Sequence, residues 1–160
     1  MRSSSDHLRR TIDHTMPMLE AMPNEQTGHK PAPEQWSPGE IIGHLIDSAS
    51  NNHQRFVRAQ FQDNLVFSGY DQNAWVVQQN YQTADWSALI TLWHSFNTHL
   101  VHVIQNIPVQ EATRKRHPHN LHELVWNTVP AKEPVTLAYF MDDYIGHLKH
   151  HLNQIFPTTF

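Results

Sequence analysis

The sequence predicts an all-α fold, a four-helix bundle forming a single domain over residues 1–160. Three observations predict it. Apolar residues recur at helical spacing in four separate stretches. Those stretches are bounded by helix-capping and helix-stopping residues. The intervening segments are rich in Pro, Gly and polar residues, with no internal repeat and no low-complexity tract. Helices of this length with mixed connections bury their apolar stripes most readily against one another. At 160 residues, one domain is the expected count, and it can bury about 70% of its unfolded surface without a covalent staple.

The first helix is expected over 6–22, where Leu8, Ile12, Thr15, Met16 and Leu19 form a stripe; Pro17 threatens a kink or an early break. Residues 23–35, "PNEQTGHKPAPEQ", read as a loop. The second helix is expected over 38–61. Ser37 is its cap, Pro38 takes the first helical position, and Glu40 stands three after the cap to complete a capping box. The third, over 85–107, starts at Asp85, carries Leu89, Leu92, Trp93, Phe96, Leu100, Val103 and Ile107, and stops at Pro108. The stretch "LHELVWNTV" that follows reads equally as a short strand or a turn. The fourth helix is expected over 134–156, ended by Pro157.

Composition excludes several chemistries. There is no cysteine, so disulfides, thiolate nucleophiles, Cys zinc sites and iron–sulfur clusters are out, and any thiol must come from outside. The net charge of -4 and scattered basic residues argue against a nucleic-acid partner. The start, "MRSSSDHLRR", has no apolar segment behind it, and no apolar run approaches the roughly 18 residues of a membrane span. No membrane partner and a cytoplasmic location are therefore expected.

Fourteen histidines against eleven Lys plus Arg matter only where spacing aligns them. On the fourth helix, Leu137, Met141, Tyr144, Leu148, Leu152 and Ile155 form the packing seam. Phe140, His147, His151 and Gln154 run in a line beside it, while His150 points elsewhere and is expected in solvent. Two imidazoles at i and i+4 can hold one divalent ion. The second helix carries His44, Asp47, Ser48, Asn51 and Arg55 on one stripe. His44, His147 and His151 together would give three neutral nitrogen ligands and leave a fourth position for water or substrate. A polar seam of hydrogen-bonded histidines satisfies the same pattern, and the residues alone leave both readings open.

At these residues the chain resembles the DinB-like superfamily, which includes YfiT-type metal-dependent hydrolases and several thiol-dependent transferases. "WSPGEIIGHLIDSASNNHQRF" resembles its second-helix segment with one histidine, and "DYIGHLKHHLNQI" its closing His-x-x-x-His-x-x-Gln segment. The resemblance implies a four-helix bundle of the DinB/YfiT-like type, with a mononuclear divalent metal on His44, His147 and His151. Some members use a carboxylate ligand; all three positions here are histidine. The metal is expected to be zinc first, with nickel, iron or manganese as alternatives. The resemblance also implies a homodimer. It does not carry one activity, since members include bacillithiol-using transferases and mycothiol-dependent isomerases.

The expected function is thus metal-assisted thiol S-transfer or hydrolysis on a small-molecule substrate, with an external low-molecular-weight thiol as possible cosubstrate. A non-enzymatic metal-stabilised dimeric bundle, a binding or stress-response module, is the alternative. Around the metal, Arg55 is a candidate for a substrate carboxylate or phosphate, and Asp47 for the acceptor that orients a ligand imidazole. Asn51 and Gln154 are further candidates for substrate or water. Tyr70 and Trp75 are a possible aromatic wall over the pocket, and His99 a possible buried partner. "HPHNLH" (117–122) is expected to be a solvated loop.

Overall fold

The structure, a computed structural model, describes residues 2–160. In chain order the helices are α1 (Arg2–Glu20), α2 (Asn24–Thr27), α3 (Pro38–Arg58), α4 (Gln72–Gln78), α5 (Trp86–Asn106), α6 (Val109–Thr113), α7 (Leu121–Leu124) and α8 (Leu137–Ile155). Single 3₁₀ turns follow α3 at Ala59–Phe61 and α4 at Tyr81–Thr83. Among the described residues there is no strand; two isolated bridges, Leu65 with His119 and Arg116 with Val135, pin loops to one another. Among the described residues no helix is long and apolar enough to cross a membrane.

The four long helices, α1, α3, α5 and α8, are the four expected, with shifted ends. Helix α1 runs through Pro17, which sits in its last turn on an exposed face. There the carbonyl deprived of its donor can be solvated, so the proline neither kinks nor stops the helix early. Helix α3 begins as read: Ser37 Oγ accepts from the Glu40 N–H, and Glu40 Oε2 accepts from the Ser37 N–H at 2.8 Å. Helix α5 is capped by Asp85, which accepts from the Ala88 N–H at 2.8 Å. Helix α8 starts later than Pro134. Val135 spends both backbone groups on Arg116 (2.8 and 3.1 Å), and Thr136 caps the helix through the Tyr139 N–H. The undecided "LHELVWNTV" forms one helical turn, α7, and then extended chain.

Helix α1 packs against α5 and α8, and α3 packs against the same two. The ring order is therefore α1, α5, α3, α8, with the first two long helices across the diagonal and α3 beside the last. The core between them holds Leu8, Ile12, Ile42, Leu45, Trp93, Leu100, Leu148 and Leu152, all within 1% of complete burial. Along the α3–α8 seam the apolar layer becomes aromatic. Phe56 meets Phe140 and Tyr144 edge to face at 5.5 and 5.9 Å, a favoured ring geometry. Beyond this layer the seam carries histidine.

Two connections roof that end of the seam. The Asn120 side chain donates to the Phe67 carbonyl and accepts from the Phe67 N–H at 2.8 and 3.0 Å, which ties the segment after α3 to the segment before α7. The Tyr81 ring packs directly on Gly43, where a Cβ would come within 2.6 Å of three ring carbons. The Tyr81 hydroxyl is anchored at its far end to Asp47, so the ring cannot swing away freely. Gly43→Ala should therefore destabilise the protein by about 1–3 kcal/mol, the usual range for forcing atoms into a packed core. Urea unfolding followed by circular dichroism measures it, and an unchanged midpoint would show that the Tyr81 cover is dispensable.

Candidate metal centre

Helix packing brings His44 of α3 against His147 and His151 of α8. One ring nitrogen from each lies within 4.8 Å of the others. His44 Nε2 stands 3.3 Å from His147 Nε2, and His147 Nε2 stands 3.0 Å from His151 Nε2. His44 has no exposed surface, while the other two rings are partly exposed.

Proton counting restricts what these contacts can be. His151 Nδ1 lies 2.9 Å from Gln154 Oε1; that oxygen only accepts, so Nδ1 carries the proton and the neutral ring leaves Nε2 a bare lone pair. His147 Nε2 has at most one proton, and one proton cannot point at both His44 and His151. With neutral rings, at most one of the two short contacts is a hydrogen bond. Protonation offers no relief. Burial, with repulsion from His151, lowers His44 to about 3, and burial with the neighbouring histidines lowers His147 to about 3. Burial also lowers His151.

A divalent ion satisfies all three lone pairs at once. Nitrogens bound about 2.0–2.1 Å from a tetrahedral zinc lie about 3.3 Å from one another. The observed 3.0 and 3.3 Å fit that spacing, and neutral imidazole is the form a metal requires. Gln154 then serves as the outer acceptor that fixes the His151 ring. The outward Nδ1 of His44 is buried with no partner; this ring is positioned by packing, with Trp36 against it at 4.9 Å. Trp36 also stacks on His151 at 5.9 Å.

A cavity of about 370 Å³ opens onto His147 and His151. It is lined by Ser48, Asn52 and Arg55 from α3, by Tyr70 from the loop before α4, by Trp126 from the segment after α7 and by Asp143 from α8. Asp143 is fixed there by the Trp126 and Asn127 N–H groups at 3.0 and 2.8 Å, and burial raises its pKa. Behind the cluster a second hollow is bordered by Trp36, Ile41, His151 and Gln154.

Several expectations change. Asp47 bonds no histidine: its Oδ1 accepts from Gln79 and from the Tyr81 hydroxyl at 2.9 and 2.8 Å, so it anchors the cover over α3. Asn51 turns away and donates to the Asp47 carbonyl; its neighbour Asn52 is the residue that reaches the cavity. Arg55 lines the cavity as expected, and Gln154 sits on the His151 ring. His150 is exposed but not remote from the site, with Trp126 and His151 at 5.1 and 5.2 Å. Tyr70 forms cavity wall, while Trp75 packs on Tyr70 from outside at 4.8 Å and is 39% exposed. His99 is exposed and pairs with His53 across α3 and α5, away from the cluster. In the 117–122 loop, His119 is buried rather than solvated. Its Nε2–H donates to the Glu133 carbonyl and its Nδ1 accepts from the Leu121 N–H, so it is a structural residue with no free nitrogen. Sequence reasoning missed Trp36 as a site residue. Its signal was the position before the Ser37 cap, where an apolar side chain commonly packs back on the helix.

The lowered histidines fix the pH response of the metal-free protein. His44 has a folded pKa of about 3 against an ordinary 6.5, so below pH 6.5 the unfolded chain takes the proton first. Its contribution to stability is complete above that pH and falls by about 1.4 kcal/mol per pH unit as pH drops toward the folded value. Urea melts of chelator-treated protein at pH 7 and pH 5 should show this loss, and His44→Gln should make it smaller, leaving the share of His147 and His151, which are lowered as well. Equal slopes in the two proteins would show that His44 titrates normally.

Comparison with known proteins agrees with this architecture. YfiT of Bacillus subtilis (strain 168), described as a probable metal-dependent hydrolase, is 25% identical over 121 residues, 75% of this chain and 62% of that protein. The match thus spans less than two thirds of the relative's length. The solved YfiT structure, with an "unusual four-helix bundle topology", superposes with a TM-score of 0.77 at 21% identity, covering 96% of this chain and 82% of that one. A mycothiol-dependent maleylpyruvate isomerase superposes at 0.68 with 14% identity, covering 94% of this chain and 59% of the other. At such identities the two superpositions speak for the fold alone. The family model described as the DinB superfamily matches residues 7–155, and the chain belongs to that superfamily.

Proposed function

We propose that the protein is a metal-dependent enzyme that holds one divalent ion on His44, His147 and His151 and acts on a small molecule in the adjoining cavity. The observation that carries this reading is a three-nitrogen cluster with no fourth His, Asp or Glu in it among the described residues, facing a cavity instead of solid core. Three protein ligands and an open position are the arrangement of a catalytic site; a structural ion is normally closed off by a fourth. That difference places the enzyme reading ahead of a purely metal-stabilised bundle.

A bound ion would supply Lewis acidity, drawing a water or thiol toward its deprotonated form near neutral pH. The protein's own residues would do the rest. Gln154 keeps the His151 proton on Nδ1, so Nε2 stays available. Trp36 closes the cluster from behind. Tyr70, Trp126 and Phe140 bound the space a substrate would fill. Thiol S-transfer ranks ahead of hydrolysis. The chain has no cysteine, so the thiol would be an external cosubstrate, and the likeness to a mycothiol-dependent isomerase supports such a partner. YfiT's description as a hydrolase supports water in the same place. In the thiol case the sulfur bonds to an electrophilic carbon of the acceptor, and the thiol proton leaves with the displaced group or joins the carbon framework after addition. Zinc suits the observed spacing; imidazole ligands also suit nickel and iron.

Untagged wild-type protein should bind about one zinc per chain, as three histidines in tetrahedral geometry allow. His44→Ala and His151→Ala should each lose it while remaining folded by circular dichroism. Elemental mass spectrometry after gel filtration measures the ratio. A wild type that takes up no zinc, nickel or manganese would remove the metal reading. Gln154→Leu should retain the site but weaken it about 10-fold to 100-fold, the usual effect of removing an outer partner of a ligand imidazole.

A further inference from the structure

Among the described residues, the cavity beside the histidine cluster is lined by one arginine and no lysine, and the surroundings of that residue, Arg55, are unusual for a buried charge. The residue is 7% exposed. One Nη2–H donates to the Ser68 carbonyl at 2.7 Å. Among the described residues, no carboxylate pairs with it. The other buried arginine has a counterion: Arg116 meets the Glu111 carboxylate at 2.7 Å and donates to the Ala59 and Glu111 carbonyls through its terminal nitrogens, although its Nε has no partner. A guanidinium taken out of water without a counterion costs several kcal/mol, and burial lowers the Arg55 pKa accordingly. Arg116 is an internal brace. Arg55 is a buried charge with no carboxylate partner among the described residues.

We propose that Arg55 is the anchor for a carboxylate carried by the substrate or its cosubstrate, and that this carboxylate is a handle held apart from the reacting atoms. The inference rests on the reading of the cavity as the reaction site. The position of Arg55 supports a handle. It follows His44 by eleven residues on α3, roughly 16 Å along the helix axis, so a group bound there is well removed from the histidine cluster even with the side chain leaning back toward the helix start. The cavity's charges select the anion. Among the described residues no lysine and no second arginine line it, while Asp143 and Glu123 do. One guanidinium with two carboxylates in the same space suits a planar monoanion and opposes a phosphate dianion. Tyr70, beside Arg55, adds a neutral donor. Burial lifts its pKa to about 12 despite the lowering effect of Arg55, so the hydroxyl keeps its proton. Arg55 and Tyr70 therefore present a fork and a hydroxyl to one carboxylate, with the rest of the ligand running along the cavity toward His147 and His151.

The test uses the full chain, with and without added zinc, titrated with propionate, propionamide and inorganic phosphate and followed by NMR. The probe is the Arg55 Nε–H resonance, assigned from its absence in Arg55→Lys. Propionate should shift it in saturable fashion. Propionamide and phosphate should be at least about tenfold weaker, given that charge-assisted hydrogen bonds contribute about 1.5–3 kcal/mol. Binding should persist without zinc and in His44→Ala. Arg55→Gln should lose it about tenfold or more while still taking up zinc. Should Arg55→Gln not fold, the wild-type resonance still decides. An unmoved Arg55 resonance, equal binding of propionamide, or tighter binding of phosphate would each overturn the proposal. Failure of zinc uptake with propionate binding intact would instead remove the metal reading and leave the anion site standing.

Discussion

Where α3 and α8 meet, three imidazoles face one another across distances at which their nitrogens cannot all be satisfied by protons. Burial denies them the positive charge that would separate them, and packing denies them room. Much of the nearby structure serves to hold this arrangement in place. The aromatic layer of Phe56, Phe140 and Tyr144 sets the spacing of the two helices just beneath it. Trp36, placed by the capping box that starts α3, leans on two of the three rings. Gln154 dictates which nitrogen of His151 is bare. Such a cluster is unfavourable as a purely protein interior and favourable as a preformed ligand set, which is the trade found where a site is organised before its ion arrives.

The two sides of α3 divide the labour. On one side Asp47, Gln79 and Tyr81 form a hydrogen-bonded group over Gly43 through the Asp47 Oδ1, while Oδ2 is buried without a partner. On the other side Ser48, Asn52 and Arg55 border open space beside the histidines. A single helix thus carries a hydrogen-bonded polar stripe and a cavity-lining one less than half a turn apart. The roof tied by Asn120 makes the second stripe a cavity wall instead of a solvent face.

Much of this was legible in the sequence because it is encoded locally. The Ser37–Pro38–Glu40 cap, the Asp85 cap and the apolar stripes place four helices whatever surrounds them, and the i, i+4 pair His147 and His151 shares a face by helical geometry alone. What escaped depends on rotation and on distant chain. Whether Asn51 or Asn52 enters the cavity turns on the roll of α3, set by its contacts with α5 and α8. Asp47 looked like a partner for His44 because they are one turn apart, but Tyr81 and Gln79 reach it from another segment. Asp143 and Trp126 became cavity wall through backbone hydrogen bonds made in an irregular stretch that carries no periodic signal. His99 shares a helix with core residues yet points outward, where His53 meets it.

The ring order α1, α5, α3, α8 has a consequence for how the protein comes into being. His44 and His147 are neighbours in space but 103 residues apart in the chain. Any ion requiring all three nitrogens closes that whole loop, opposing the entropy of a long open segment much as a cross-link would. During synthesis, the early helices emerge with only one of the ligands. Capture of an ion by all three would have to await the last helix, so loading would report that the bundle is complete. A chain stopped before His147 would carry His44 alone of the three nitrogen donors.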